Sequence, residues 1–374
     1  MILLRILYKI FFPIFSYPIY LYLKFKKILI VGGMITSAGH SFQESHFFYL
    51  KKKFFLLPKK YKFLFIGNKN HITKFVKKFL NFYNYIFLNN YLDYFKNDLC
   101  RTYPDIVYYN NLSHYTQAKK ISWIKGFQTQ SSYYALFNKE DSFFNNFKFS
   151  KEIIDRFIKK KYIVIQIKNE IVNATAKETD PLTYIPLLKF IKKKYAIIFI
   201  GREKMPEIFN DYIDWNYANS SYACYSNDVH LISRSEFSII FGSGLANIPM
   251  ILGKYYLYLG FWHLIAPSAS KYCVFIPTLL KFKNNNKILD LKKNYIFFRN
   301  SKMQCFKSKK VIPINPNSKD ILEGFKELVS LKKNYTKMHF LQKKYNNFYK
   351  NQPINFSNAR VSLNFIKKYK NYLF

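Results

Sequence analysis

The chain has 374 residues, enough for two domains of ordinary size, and 49% of them are apolar and 20% aromatic. So much apolar material excludes a disordered basic tail, and 11 Gly with 13 Pro exclude collagen-like and linker-like chains. Lys and Arg number 60 against 21 acidic residues, a formal net charge of +39. Such a charge is a signal for nucleic acid or membrane, yet only seven of those residues are Arg, the side chain that forks onto phosphate. Lys, Asn, Ile, Phe and Tyr are over-used together, as AT-rich codons produce, so most of the charge reads as a lysine-rich surface. The lysines fall in scattered pairs and triples, and no helix-turn-helix, zinc-finger or RNA-recognition pattern occurs. No nucleic-acid partner is expected. Cys100, Cys224, Cys273 and Cys305 are far apart without a C-x-x-C pair, which fits a reducing, cytoplasmic compartment.

Taken in chain order, residues 10–23 (IFFPIFSYPIYLYL) form an uncharged apolar run broken by Pro13 and Pro18 and flanked by Arg5, Lys9, Lys24, Lys26 and Lys27. As a helix the run reaches about 21 Å, short of the ~30 Å hydrocarbon core. No small-x-small cleavage site precedes Lys24, so a removed signal peptide is not expected. The segment suits an in-plane anchor at an anionic membrane surface, with Tyr17, Tyr20 and Tyr22 at headgroup level, or alternatively a packed arm. A strand follows at ILIVGG, then a loop, and a helix starting near Ser41. Residues 61–67 (YKFLFIG) read as a second strand, residues 72–82 as a helix, and residues 85–88 and 105–109 as two further short strands. Residues 141–151 lack periodicity and read as a linker.

The alternation then restarts: strand at 161–168, helix at 180–193, strand at 195–201, helix at 228–235, strand at 237–241, a GSG turn, helix at 245–252, and a late amphipathic helix at 318–331. Alternating strands and helices predict parallel sheets with crossover connections. The expected architecture is α/β, two Rossmann-like domains facing a cleft: 25–150 and 151–335, preceded by the anchor or arm at 1–24 and followed by a helical tail at 336–374.

The ordered set of motifs in the second half resembles a group of bacterial surface-polysaccharide glycosyltransferases. These are similar in layout to heptosyltransferases and O-fucosyltransferases, with the two-domain fold called GT-B. The residues that carry the resemblance are 180–188 (DPLTYIPLL), 199–202 (FIGR), 213–220 (IDWNYANS), 228–231 (DVHL) and 242–245 (GSGL). Near the start, Ala38-Gly39-His40 with Glu44 resembles the family's I-G-H-L-x-x-E element. The resemblance is dense over 160–265 and thin elsewhere. It implies that Gly242, Ser243 and Gly244, with Leu245, hold a donor diphosphate, and that Lys168 and Gly201 border it. Lys168 stands where the family has Arg, Asn169 where it has Asp, and Phe199 where it has Arg.

Arg202 directly follows Gly201 and can supply the missing positive charge, or it is a solvated loop residue. Gly39, His40 and Glu44 fall on the loop after the first strand, where ligands meet parallel sheets. There Gly39 borders the acceptor, and His40 or Glu44 serves as general base on its hydroxyl. Alternatively Ser41 and Glu44 close a capping box. His263 can face the nucleotide, while His230 reads as a surface-helix residue. No D-x-D motif and no paired-His zinc motif is present, so neither a metal nor another cofactor is expected. The implied activity is transfer of a sugar from a nucleotide-sugar donor to a surface-glycan or lipid-linked acceptor, at the cytoplasmic side of the inner membrane. An inactive binding or scaffold protein of glycan assembly with the same fold is the alternative, and a basic nucleic-acid-binding protein a more distant one.

Overall fold

The computed structural model describes residues 2–32, 59–68, 84–88, 95, 98–100, 102–109, 151–168, 179–260, 270–290, 311–334, 337–350 and 359–373. The chain divides into two compact units, Met1–Gln130 and Ser131–Phe374.

The first unit opens with helix α1 (Ile2–Phe25), which runs through both prolines. Four parallel strands follow: β1 (Ile28–Gly32), β2 (Lys62–Asn68), β3 (Asn84–Leu88) and β4 (Val107–Tyr109), in the order β3-β2-β1-β4. The strands expected at 61–67, 85–88 and 105–109 are present, the last shortened because residues 104–106 form a 3-10 turn opened by Pro104. α1 continues past Pro13 and Pro18 because tertiary contacts hold it. Phe12 and Leu23 are buried with Ile30, Leu99, Ile106 and Val107, and Tyr20 packs against them. Ser16 is fully buried and its hydroxyl donates to the Phe12 carbonyl at 2.6 Å. The Tyr103 hydroxyl donates to the Pro13 carbonyl at 2.7 Å. Tyr20, expected at a membrane surface, instead stacks on Tyr103 with ring centroids 4.4 Å apart and donates to Asp105 at 3.0 Å.

The second unit is built on a seven-stranded, wholly parallel sheet in the order β13-β10-β9-β8-β5-β6-β7. In chain order its elements are α2 (Lys151–Phe157), β5 (Tyr162–Gln166), α3 (Ile185–Lys192), β6 (Ala196–Phe199), β7 (Trp215–Asn216), α4 (Tyr225–Arg234), β8 (Phe237–Phe241), α5 (Asn247–Ile251), β9 (Tyr256–Leu259) and β10 (Cys273–Ile276). The antiparallel pair β11 (Leu279–Phe282) and β12 (Val311–Ile314) follows, then α6 (Ser318–Lys333), α7 (Phe340–Lys350), β13 (Arg360–Val361) and α8 (Leu363–Leu373).

Every residue of β5, β6, β8, β9 and β10 is buried, which is why these strands read as continuous apolar runs rather than alternating ones. α6 buries Ile321, Phe325, Leu328 and Leu331. At Gly324 a Cβ would stand 2.5 Å from the Ile276 side chain, so the small residue lets the helix approach β10. The segment expected as a helical tail also returns a strand to the sheet: β13 pairs with β10, and the Ser362 N–H donates to the Phe275 carbonyl at 2.9 Å.

Candidate functional site

β5 is the first strand of the second unit's sheet and lies inside it. From β5 the chain winds to β6 and β7 on one side, then crosses to β8, β9 and β10 on the other. In open parallel sheets ligands bind beyond the carboxyl ends of the strands where the winding reverses, here between β5 and β8. The segments leaving those ends are 167–168 after β5, 200–203 after β6 and 242–245 after β8.

Gly201 joins the three. Its φ of +109° is a conformation that side chains rarely adopt, and a Cβ there would lie 3.0 Å from Gln166 Cγ and 3.9 Å from Leu245 Cδ1. Gly242 also has a positive φ, +47°, and turns the chain out of β8. Ser243 then caps the 3-10 turn Gly244–Ala246, its Oγ accepting from the Leu245 N–H at 3.2 Å. Among the described residues the Ser243 hydroxyl proton has no acceptor. The helix expected at 245–252 therefore begins as a 3-10 turn and becomes α-helical only over Asn247–Ile251.

Two ion pairs border this region. Lys168 Nζ lies 3.7 Å from Glu203 Oε1, so part of its charge is already offset. Arg202 Nη2 lies 3.5 Å from Asp228 Oδ2, and its Nη1 donates to the Gly201 carbonyl at 3.0 Å. The Arg202 side chain is 56% exposed while that of Asp228 is only 2% exposed, so the guanidinium is held from below and open to solvent above.

Asp228 sits in the first turn of α4, where burial pushes its carboxyl up to about 7 despite the opposing pull of Arg202. Among the described residues Asp228 Oδ1 has no hydrogen-bond partner, and neither has Oε1 of the buried Gln166, whose amide donates to the Ile167 carbonyl at 2.8 Å. Buried acceptors without partners are costly and rare. Here two of them border the same glycine-lined segment as two cations. The arrangement offers positive charge to an anion, while the two acceptor oxygens are closed off from solvent.

The structure thus brings together Lys168, Gly201, Arg202, Gly242, Ser243, Gly244 and Leu245. Gly39, His40, Glu44 and His263 lie outside the described residues, as does Asn169. His230, read as a surface residue, is 8% exposed, because α4 turns Asp228 and His230 toward the interior with Val229, Leu231 and Ile232. Phe199 is fully buried in β6, with its ring 6.5 Å from that of Phe209.

Other residues of the motif set serve the scaffold. Asp180 caps Pro181–Tyr184 by accepting from the Leu182 N–H at 3.0 Å, and Tyr184 is fully buried. Asp214 accepts from the Ile197 N–H at 2.8 Å at the start of β6. The Tyr217 hydroxyl donates toward the Tyr222 and Cys224 carbonyls, shaping the approach to α4. Sequence reasoning missed the roles of Asp228 and Gln166. An acidic residue one turn into a helix was visible; its burial was not.

No protein-family model matches the chain, and no curated protein sequence matches it. Solved structures do. ADP-heptose LPS heptosyltransferase II of E. coli is similar at 13% identity, with 82% of this chain and 99% of that one covered and a TM-score of 0.43. A family 9 glycosyl transferase from Veillonella parvula is similar at 8% identity over 82% and 97%, TM-score 0.42. The E. coli heptosyltransferase WaaC with ADP is similar at 9% identity over 72% and 98%, TM-score 0.34. The chain spans nearly the whole length of each of these structures.

Proposed function

We propose that this chain is a glycosyltransferase that moves a sugar from a nucleotide-sugar donor to a surface-glycan or lipid-linked acceptor, with the donor diphosphate at the carboxyl ends of β5, β6 and β8. The observation that carries the reading is the buried Asp228 holding the exposed Arg202 beside the glycine-lined turn. A guanidinium fixed on two sides keeps its remaining N–H groups for an anion, and the fork suits phosphate oxygens. Gly201 lets the turn after β6 approach the Gln166 side chain closely, where a Cβ would stand 3.0 Å away.

In the reaction an acceptor hydroxyl attacks the anomeric carbon, its proton passing to His40 or Glu44, while the bond to the diphosphate breaks. Lys168, Arg202 and the Ser243 hydroxyl offset the charge that develops on the leaving group, which is where electrostatic stabilisation acts.

A thermal-shift screen of nucleotide sugars on wild type and Ser243→Trp tests the donor site. The matching nucleotide at 100 times its Kd should stabilise the wild type by about 2.7 kcal/mol, a rise of several degrees in Tm. Ser243→Trp should lose that rise, and Ser243→Ala part of it. A tryptophan variant that keeps the full shift would sink the assignment. Donor binding without transfer to any acceptor would favour the binding-protein alternative, and salt-sensitive DNA binding with no nucleotide response would revive the nucleic-acid reading.

A further inference from the structure

We propose that α1 is a two-faced helix, with one stripe in the core of its unit and the remaining apolar surface lying in the plane of an anionic bilayer.

The inward stripe is Phe12, Ser16, Tyr20 and Leu23, the spacing of one helix edge. Most other described side chains of the helix are also apolar, but these face out. Phe15 is 75% exposed, Ile14 64%, Ile10 58% and Phe25 80%, with Phe11, Tyr17, Ile19, Leu21 and Tyr22 exposed beside them. A helix that borders water carries polar residues on its outer side, as α6 does with its lysines and glutamates. An exposed apolar surface of this extent marks an interaction site.

Charge selects the occupant. The first acidic residue of the chain is Glu44, while Arg5, Lys9, Lys24, Lys26 and Lys27 precede it. Phosphate headgroups complement such a segment. A second copy of the same face would set these cations against one another.

The prolines select the depth. Pro13 and Pro18 lack the N–H groups that would bond the carbonyls of Lys9 and Ile14, and water at the headgroup level can satisfy what hydrocarbon cannot. No helix of the described residues is long and apolar enough to cross a membrane.

The proposal is independent of the sugar-transfer reading, and its test reads lipid binding alone. Because Phe12, Ser16 and Leu23 belong to the core, removing the helix would disrupt the unit, so substitutions on the outer face are the informative variants. The full chain is sedimented with phosphatidylcholine vesicles and with vesicles containing phosphatidylglycerol, at low and high salt. Wild type should bind the anionic vesicles at least about tenfold more tightly than the neutral ones, and less tightly at high salt. Ile14→Glu/Phe15→Glu should weaken binding by at least about tenfold, a loss of about 1.4 kcal/mol, with Tm nearly unchanged. Should that variant misfold, Tyr22→Ser/Phe25→Ser reads the other end of the same face with the same expected loss. Unaltered binding by the folded variants, or no binding by wild type, overturns the proposal. So does a lipid-free dimer that the substitutions dissociate, which would make the face a self-association surface.

Discussion

Asp320 and Asp228 are both carboxylates in the first turn of a helix, both 2% exposed at the side chain, and each has one basic partner. Asp320 is fully employed. It accepts from the Asn317 N–H at 3.3 Å, its own N–H donates to Asn317 Oδ1 at 2.9 Å to close a capping box, and Lys368 lies 3.1 Å away. Among the described residues Asp228 is held by Arg202 at 3.5 Å and leaves one oxygen without a partner. The same residue type at the same depth is thus a fastening in one place and a stored cost in the other. Strain of the second kind gathers where a protein must keep groups ready for a ligand.

The largest effect that would test this contrast is on stability. Asp320→Ala removes both the cap and the Lys368 contact and should cost about 2 kcal/mol in urea unfolding at pH 7; no loss would erase the distinction. Asp228→Asn should do the opposite above neutrality. The folded carboxyl keeps its proton up to about 7, whereas in the unfolded chain it releases it near 3.9. Between those values the folded state binds more protons, so wild-type stability falls as pH rises and the full penalty stands above pH 7. The Asn variant should therefore be more stable than wild type at pH 8, with the gain vanishing by pH 4, while nucleotide affinity drops because Arg202 loses its holder. Smaller again, Arg202→Gln should cost about 1 kcal/mol at pH 8, where Asp228 is ionised, and little at pH 5, where it is neutral. A cost equal at both pH values would show that Arg202 does not serve Asp228.

Much of the second unit was legible. β8 spans the residues read from the sequence, and β5 and β6 lie within two residues of the expected runs, because strands covered on both faces must be apolar throughout. The glycines at 201 and 242 were legible as strand-ending turns. β7 and β13 were not, since two-residue strands are defined by their neighbours: Phe199 pairs with Asn216, and Phe275 with Val361. α1 misled in an instructive way. Its prolines predict an interrupted run, yet burial of Phe12 and Leu23 and the Tyr103 bond to the Pro13 carbonyl carry the helix through them.

What the sequence by itself determined is the alternation of apolar strands and helices, the turns that end β6 and β8, and a basic, apolar opening segment. These follow from local periodicity and from residue types that admit few conformations. Only the tertiary structure decided which of two similar carboxylates is satisfied, which stripe of α1 faces the core, and that Gln166, Gly201, Arg202, Asp228 and Leu245 converge. Burial depends on what the rest of the chain places around a residue, and the deciding contacts here join residues separated by 26 positions, as in Arg202 to Asp228, or 90, as in Tyr103 to Pro13.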